Sequence, residues 1–531
     1  MFTADKKILC LGLLAFLCLG ASAQLKQTPV PELISAGGRF QLKVDGKPYF
    51  MFGGQCGNSS NWPAALPDVW DTMKNMNANT LEIPIYWEEI EPAEGQYNFE
   101  SVQRLLDQAR ERDIRLVLLW FATWKNGSNH YMPEWMKLQS KKFPNIVGKD
   151  GQQVDSPSPH CKAAMELDAK AFKAVMQYLK DNDPCHTVIM VQVQNEPGAW
   201  GSVRDYSQAA GKLFKQQVPA ALLTPAVLSA LNVPVVTKGT WSEVFGDRAD
   251  EYFHAWHVAS YIEYVAAAGK EVNPLPLYVN VALRDPLSNP PATEYESGGA
   301  TDNVIPIYKV AAPHIDLVAP DIYLRGDETV LKVLELYCRE DNALFVPETG
   351  GANNKYLYEA VANGIGWSPF GVDRGDRYRH TALSADYGLL APIADKVAQW
   401  GFEGKIHTAL QGEGESVDNI DLGAWQAVLT YGNSRRPEAA PAPTGRAMIV
   451  KLAEGDFLVV GTNVRFSFLP LGKNKGKAWH YLRVEEGRYN ASGEWMLKRV
   501  LNGDETDWTG PYVGSEPTML HIRVYARENA K

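Results

Sequence analysis

Between about residue 40 and residue 400 the chain alternates short apolar runs with longer stretches of helical period. The runs are FMFGGQ (50–55), TLEIPIYW (80–87), IRLVLLWF (114–121), TVIMVQVQ (187–194), LYVNVAL (277–283), IDLVAPDIY (315–323), LFVPETG (344–350) and GIGWSPFG (364–371). Several are apolar on both parities, as strands are when protein covers both faces of a parallel sheet. Amphipathic segments such as ESVQRLLDQARER (100–112), CKAAMELDAKAFKAVMQYLK (161–180) and LKVLELYCRE (331–340) lie between them. Eight such units in about 350 residues predict an α/β fold, a (β/α)8 TIM barrel, with a doubly wound open sheet as the competing arrangement. No Gly-rich phosphate fingerprint follows any strand, which weighs against a nucleotide-binding sheet.

The pattern changes near residue 402. Beyond the helical ALSADYGLLAPIADKVAQW (382–400), period-2 runs take over: AWQAVLTYG (424–432), RAMIVKLA (446–453), FLVVGTNVRFSFL (457–469), AWHYLRVEE (478–486), EWMLKRVL (494–501) and LHIRVYA (520–526). They predict a smaller all-β C-terminal domain, a sandwich or jelly roll, with RRPEAAPAPTG (435–445) as an exposed loop. The expected division is 1–23, 24–402 and 403–531. Within the barrel two connections are long, about 40 residues after the third strand and about 80 after the fourth. Both leave C-terminal strand ends, the face on which barrel active sites are built.

Composition narrows the function class. At 531 residues and 45% hydrophobic content the chain can bury at least one large core. Its net charge of −10, without long acidic runs, argues against a nucleic-acid partner. The N-terminus reads as a secretory signal: Lys6 and Lys7, the apolar run 8–20, then Ala21-Ser22-Ala23 as the cleavage site. That run is shorter than the roughly 20 residues a membrane span needs, and no later stretch is long enough. The expected product is exported, periplasmic or secreted; lipid anchoring through Cys18 is disfavoured by the bulky residues before it. Four cysteines follow the signal, Cys56, Cys161, Cys185 and Cys338, too few for a disulfide scaffold and without metal-binding spacing.

Two strand runs close on a glutamate at the catalytic face. VQVQNEPGAW (191–200) places Asn195 and Glu196 at the top of the fourth strand, where Pro197 biases Glu196 toward extended backbone. FVPETGG (345–351) places Glu348 at the top of the seventh. A single strand-end carboxylate is more often structural, but a pair in equivalent contexts matches what glycosidic bond cleavage needs: one protonated carboxyl for the leaving oxygen, one ionised carboxylate for the anomeric carbon. WEEIEPAEG (87–95) reads instead as a rim of the second loop and GDRADE (246–251) as a solvated face.

VQVQNEPG, VPETGG some 150 residues later and LEIPIYWEEIEPAEGQYNF nearer the start resemble the retaining β-galactosidases of glycoside hydrolase families 35 and 42, family 35 more closely, in its bacterial branch with an extra C-terminal β-domain. The resemblance implies Glu196 as acid/base, Glu348 as nucleophile, Asn195 as the partner of the sugar 2-hydroxyl, Tyr323 as a holder of the nucleophile and Trp367 as the aromatic under the sugar. Tyr86, Trp87 and Trp120 are read as pocket walls, with core packing the equal alternative. Pro84 stands where many family 35 enzymes carry a tyrosine, which leaves the sugar less defined than the mechanism. The expected activity is exo-hydrolysis of terminal β-D-galactosyl residues from oligosaccharides such as xyloglucan fragments, without metal or organic cofactor. α-L-Arabinopyranoside, β-glucoside or β-mannoside substrates stay open, as do a non-catalytic glycan-binding role and a homodimer. The C-terminal β-domain reads as a brace, because its tryptophans alternate with apolar residues as core positions do.

Overall fold

The computed structural model describes residues 26–374, 376–432 and 444–527, so the expected signal segment and nearly all of the 435–445 loop lie outside the described residues. Each of the eight apolar runs forms a strand: β1 (Met51–Gln55), β2 (Thr80–Tyr86), β3 (Arg115–Lys125), β4 (Val188–Asn195), β5 (Leu277–Ala282), β6 (Leu317–Ile322), β7 (Leu344–Val346 with Glu348–Thr349) and β8 (Gly364–Trp367). They pair in parallel in that order, and β8 returns to β1. Pro347 splits β7, since proline has no N–H for the ladder. Its first segment pairs with β8 and its second with β6, which sets Glu348 beside Asp321 and closes the barrel.

The helices follow from spacing and stop signals. Leu66–Met76 buries Leu66, Val69, Trp70, Met73 and Met76 on one stripe and ends at Asn77 in the left-handed conformation. Glu100–Arg112 buries Val102, Leu105, Leu106 and Ala109 and ends the same way at Asp113. Strand parity sorts two layers of core. In β3, Val117, Leu119 and Phe121 face the barrel interior, while Leu116, Leu118 and Trp120 face the helices. An antiparallel sheet of Glu32–Ala36, Arg39–Val44 and Lys47–Tyr49 lies at the N-terminal end of the barrel, where Leu42 and Val44 pack on Met51 and Phe345.

The excursion after β3 carries the short helix Glu134–Lys137 and the hairpin Asn145–Val147 with Gln153–Pro157; that after β4 carries helices Gln208–Phe214, Pro225–Ala230 and Trp241–Phe245. Residues 246–248 are exposed, as the composition predicts, but the acidic pair that follows is not part of a solvated face. Asp250 pairs with Arg204 at 2.6 Å, and Glu251 is buried against Tyr295 and Asn303.

Helices run to Phe402, and the first strand of the C-terminal antiparallel sheets begins at Ile406. Six strands form one sheet and four a second, with Trp425, Leu429, Phe466 and Phe468 packed on Ile449, Phe457, Val459 and Ile522 between them. The opposite parity of the larger sheet, Met448, Val450, Leu458 and Val460, joins the core under the barrel helices. A buried ion pair, Asp386 with Arg446, crosses the same seam, and Tyr358 donates to Asp386 at 2.6 Å. Among the described residues no helix is long and apolar enough to cross a membrane.

Candidate active site

Strand β4 ends in a kink. Gln194 and Glu196 have φ of 67° and 42°, a region that costs a non-glycine residue about 1–3 kcal/mol. The extended backbone expected before Pro197 is therefore not what forms. Asn280 Oδ1 accepts the Glu196 N–H at 2.9 Å, and the Glu196 carbonyl accepts from Gly127 N–H at 3.0 Å. Those two anchors, from β5 and from the loop after β3, outweigh the average preference of a residue preceding proline.

The kink brings three carboxylates together: one oxygen each of Glu196, Asp321 and Glu348 lie within 4.8 Å of one another. Glu348 is held from both sides, Tyr323 Oη donating to Oε1 at 2.6 Å and Gln55 Nε2 to Oε2 at 2.8 Å. Burial, and secondarily the charge of Glu348, pushes the Glu196 carboxyl up to about 7, with Lys125 opposing. Asp321 is raised well above the usual carboxylate range, by burial first and then by Glu348 and Glu196. Asn280 Nδ2 fixes it at 2.6 Å. The spacing would also suit a hard divalent cation, but Glu348 and Asp321 already accept from amide and phenol donors, which suits carboxylates that exchange a proton.

Behind this cluster Glu82 is fully buried, accepts from Tyr278 Oη at 3.0 Å, and is raised well above its ordinary range by burial. Lys125 closes β3 with its ammonium buried near the carboxylates. Asn195 is buried with no hydrogen-bond partner among the described residues for either side-chain polar atom. A buried amide so arranged is poised for a ligand hydroxyl.

Residues 58–258 match the family model described as beta-galactosidase, of glycoside hydrolase family 42. This part of the chain is similar to a family 42-type β-galactosidase domain. The motif resemblance favours family 35, whereas the matching model is that of family 42. Residues 383–510 match a domain of unknown function (DUF5597). Similar curated proteins include beta-galactosidase 12 of Oryza sativa subsp. japonica, 27% identical over 194 residues, covering 34% of this chain and 19% of that one. The beta-galactosidase of Xanthomonas manihotis is 28% identical over 175 residues, 31% of this chain and 27% of that one. The chain thus spans about a fifth to a quarter of the length of these relatives. Among solved structures, a family 42 β-galactosidase from G. stearothermophilus aligns at TM-score 0.48 and 16% identity, over 66% of this chain and 59% of that one. The β-galactosidase from Bacillus circulans sp. alkalophilus aligns at 0.46 and 11%, over 89% and 99%.

In this glycoside hydrolase domain and the strands that complete its barrel, the structure brings Glu196, Glu348, Asn195 and Tyr323 to one mouth. Tyr86 lies on the interior side near the top of β2, stacked on Tyr131 at 5.2 Å and on Trp62 at 6.0 Å. Trp120 does not join them. Its parity turns it to the helices, where its indole N–H donates to Asp168 at 2.8 Å. Trp87 is in the same layer, bonded to Glu91. Trp367 likewise shares the side of Phe52 and Val346 and has no exposed surface to place under a sugar. Gln55, Lys125, Asn280, Asp321 and Glu82 were not singled out from the sequence. Their common signal is a polar residue in or at the C-terminal end of an apolar strand run.

Proposed function

We propose that the protein is a retaining exo-glycosidase that removes terminal β-D-galactosyl residues from oligosaccharides, plant cell-wall fragments such as xyloglucan among them, after export directed by residues 1–23. The observation that carries this reading is the approach of Glu196 and Glu348, with oxygens within 4.8 Å. An approach this close suits the carboxyl spacing of roughly 5 Å in double-displacement enzymes better than the roughly 6.5–9.5 Å that admits a water for inversion. Glu348 attacks the anomeric carbon while Glu196 gives its proton to the glycosidic oxygen, and the leaving alcohol departs. Glu196 then takes a proton from water, whose oxygen attacks the same carbon and releases the Glu348 carboxylate. Low exposure of both, 7% and 5%, supports action on a chain end rather than along a polymer.

The test is turnover of an aryl β-galactoside by wild type, Glu196→Gln and Glu348→Gln, with the released anomer followed by NMR. The expected result is retention, with losses of at least about 100-fold in each variant. Undiminished turnover in Glu348→Gln, or inversion, overturns the reading, and a panel of other aryl glycosides settles the sugar.

A further inference from the structure

A fourth carboxylate, Glu296, sits beside the acid/base and has no part in the steps above. It lies in the segment 283–304 after β5, where Ser297 bridges to Ala199 in the loop that follows Glu196. Its side chain runs through a slot made by two glycines. A Cβ on Gly198 would meet Glu296 Cγ at 2.8 Å, and one on Gly127 would collide with Glu296 Oε1. Gly127 also has φ of 70° and anchors the Glu196 carbonyl, so slot and kink share a residue.

Glu296 is 2% exposed, and among the described residues neither carboxylate oxygen has a fully formed hydrogen bond, the Trp200 indole N–H being the donor that acts on it. An unpaired buried carboxylate is costly unless it has a use. Burial, and then the charge of Glu196, raises it well above its ordinary range and favours its neutral form, in which it can donate one hydrogen bond and accept another. The groups that act on it are Glu196, Lys125 and Trp200. Tyr323 and Gln55, which hold the nucleophile, and Glu348 itself are not among them. An acid/base must face the leaving oxygen, so its flank away from Glu348 faces the leaving group. On that flank Trp200 is 50% exposed, its Cδ1 3.3 Å from where a Gly127 Cβ would stand.

We propose that Glu296 and Trp200 form the leaving-group subsite: the Trp200 indole offers an apolar face to the pyranose ring that departs, and the Glu296 carboxyl reads a pair of its hydroxyls. The ligand class is a sugar rather than a flat aromatic or alkyl alcohol. This inference rests on the glycosidase reading, and the experiment separates the two.

Specificity constants are measured for a β-galactosyl disaccharide and an aryl β-galactoside with wild type, Glu296→Ala, Glu296→Gln and Trp200→Ala. In a second readout the enzyme is trapped with a 2-deoxy-2-fluoro-galactosyl donor and its reactivation by an added acceptor sugar is timed. Wild-type turnover of the aryl substrate tests the underlying reading. The inference expects Glu296→Ala and Trp200→Ala to lower kcat/KM for the disaccharide by about tenfold or more beyond their loss on the aryl substrate. It also expects acceptor reactivation to weaken in both, and Glu296→Gln, which keeps a donor and an acceptor, to retain part of each. Equal losses on the two substrates with unchanged acceptor reactivation, or no loss on either, would overturn it.

Discussion

If the charge of Glu348 helps hold the proton on Glu196, neutralising Glu348 must loosen it. Lifting a carboxyl from an ordinary 4.5 to about 7 corresponds to roughly 3 kcal/mol. Burial is the larger cause and Glu348 the second, with Lys125 and Asp321 opposing both, so the charge supplies less than half of the upward push. At the outer limit of 4.8 Å between their oxygens, two unit charges interact by about 3–4 kcal/mol at an effective dielectric of about 20, ample for a shift of this size. Glu348→Gln is therefore expected to lower the Glu196 pKa by about one, to near 6. The measurement is a carbon-13 NMR titration of glutamate-labelled Glu348→Gln against wild type, with Glu196→Gln assigning the resonance. In wild type the alkaline limb of kcat/KM is expected near pH 7, where free Glu196 would lose its proton. A Glu196 carboxyl still titrating near 7 in Glu348→Gln would refute the coupling, and one titrating near 4.5 in wild type would refute the effect of burial.

Tyr323→Phe removes a 2.6 Å hydrogen bond to Glu348; because Tyr323 is half-exposed and water can replace it, the expected loss in kcat is about tenfold, read by steady-state kinetics. Arg446→Ala strands the buried Asp386 carboxylate at the seam between barrel helices and β-sheet and is expected to cost about 3–5 kcal/mol in denaturant unfolding, with an unchanged midpoint counting against a brace at that seam. His160, His254 and His257 are lowered to about 4, 3 and 3, by burial first, with Arg204 and the neighbouring imidazoles adding to it and Asp205 opposing. The unfolded chain then binds more protons between about pH 3 and 6.5, so their contribution to stability is complete above about 6.5 and is lost as pH falls. Melting temperature is expected to drop across that window, less steeply in His257→Phe, which keeps packing against Phe253.

The barrel was readable because each strand is a mainly apolar run and its helices carry their own stripes and stops. Which parity of a strand faces inward was not readable, since a strand buried on both faces is apolar on both. That is why Trp120 and Trp367, read as site aromatics, belong to the helix layer. Glu196 and Glu348 could be found because a strand end locates a side chain at the mouth. Gln55, 293 positions from its partner Glu348, is tied to it only by barrel closure, which no local pattern reveals. The backbone of Glu196 was misjudged for a related reason. Its anchors, Asn280 and Gly127, are distant in sequence, and they overrule the local influence of Pro197.

The most direct test is to trap the intermediate with a 2-deoxy-2-fluoro-β-galactosyl fluoride, digest the protein and map the labelled residue by mass spectrometry. An ester on Glu348, within the peptide spanning 344–350, is the expected result. A label on Glu196 or Asp321, or turnover of the reagent with no covalent species while Glu348→Gln remains active, would contradict the assignment of Glu348 as nucleophile.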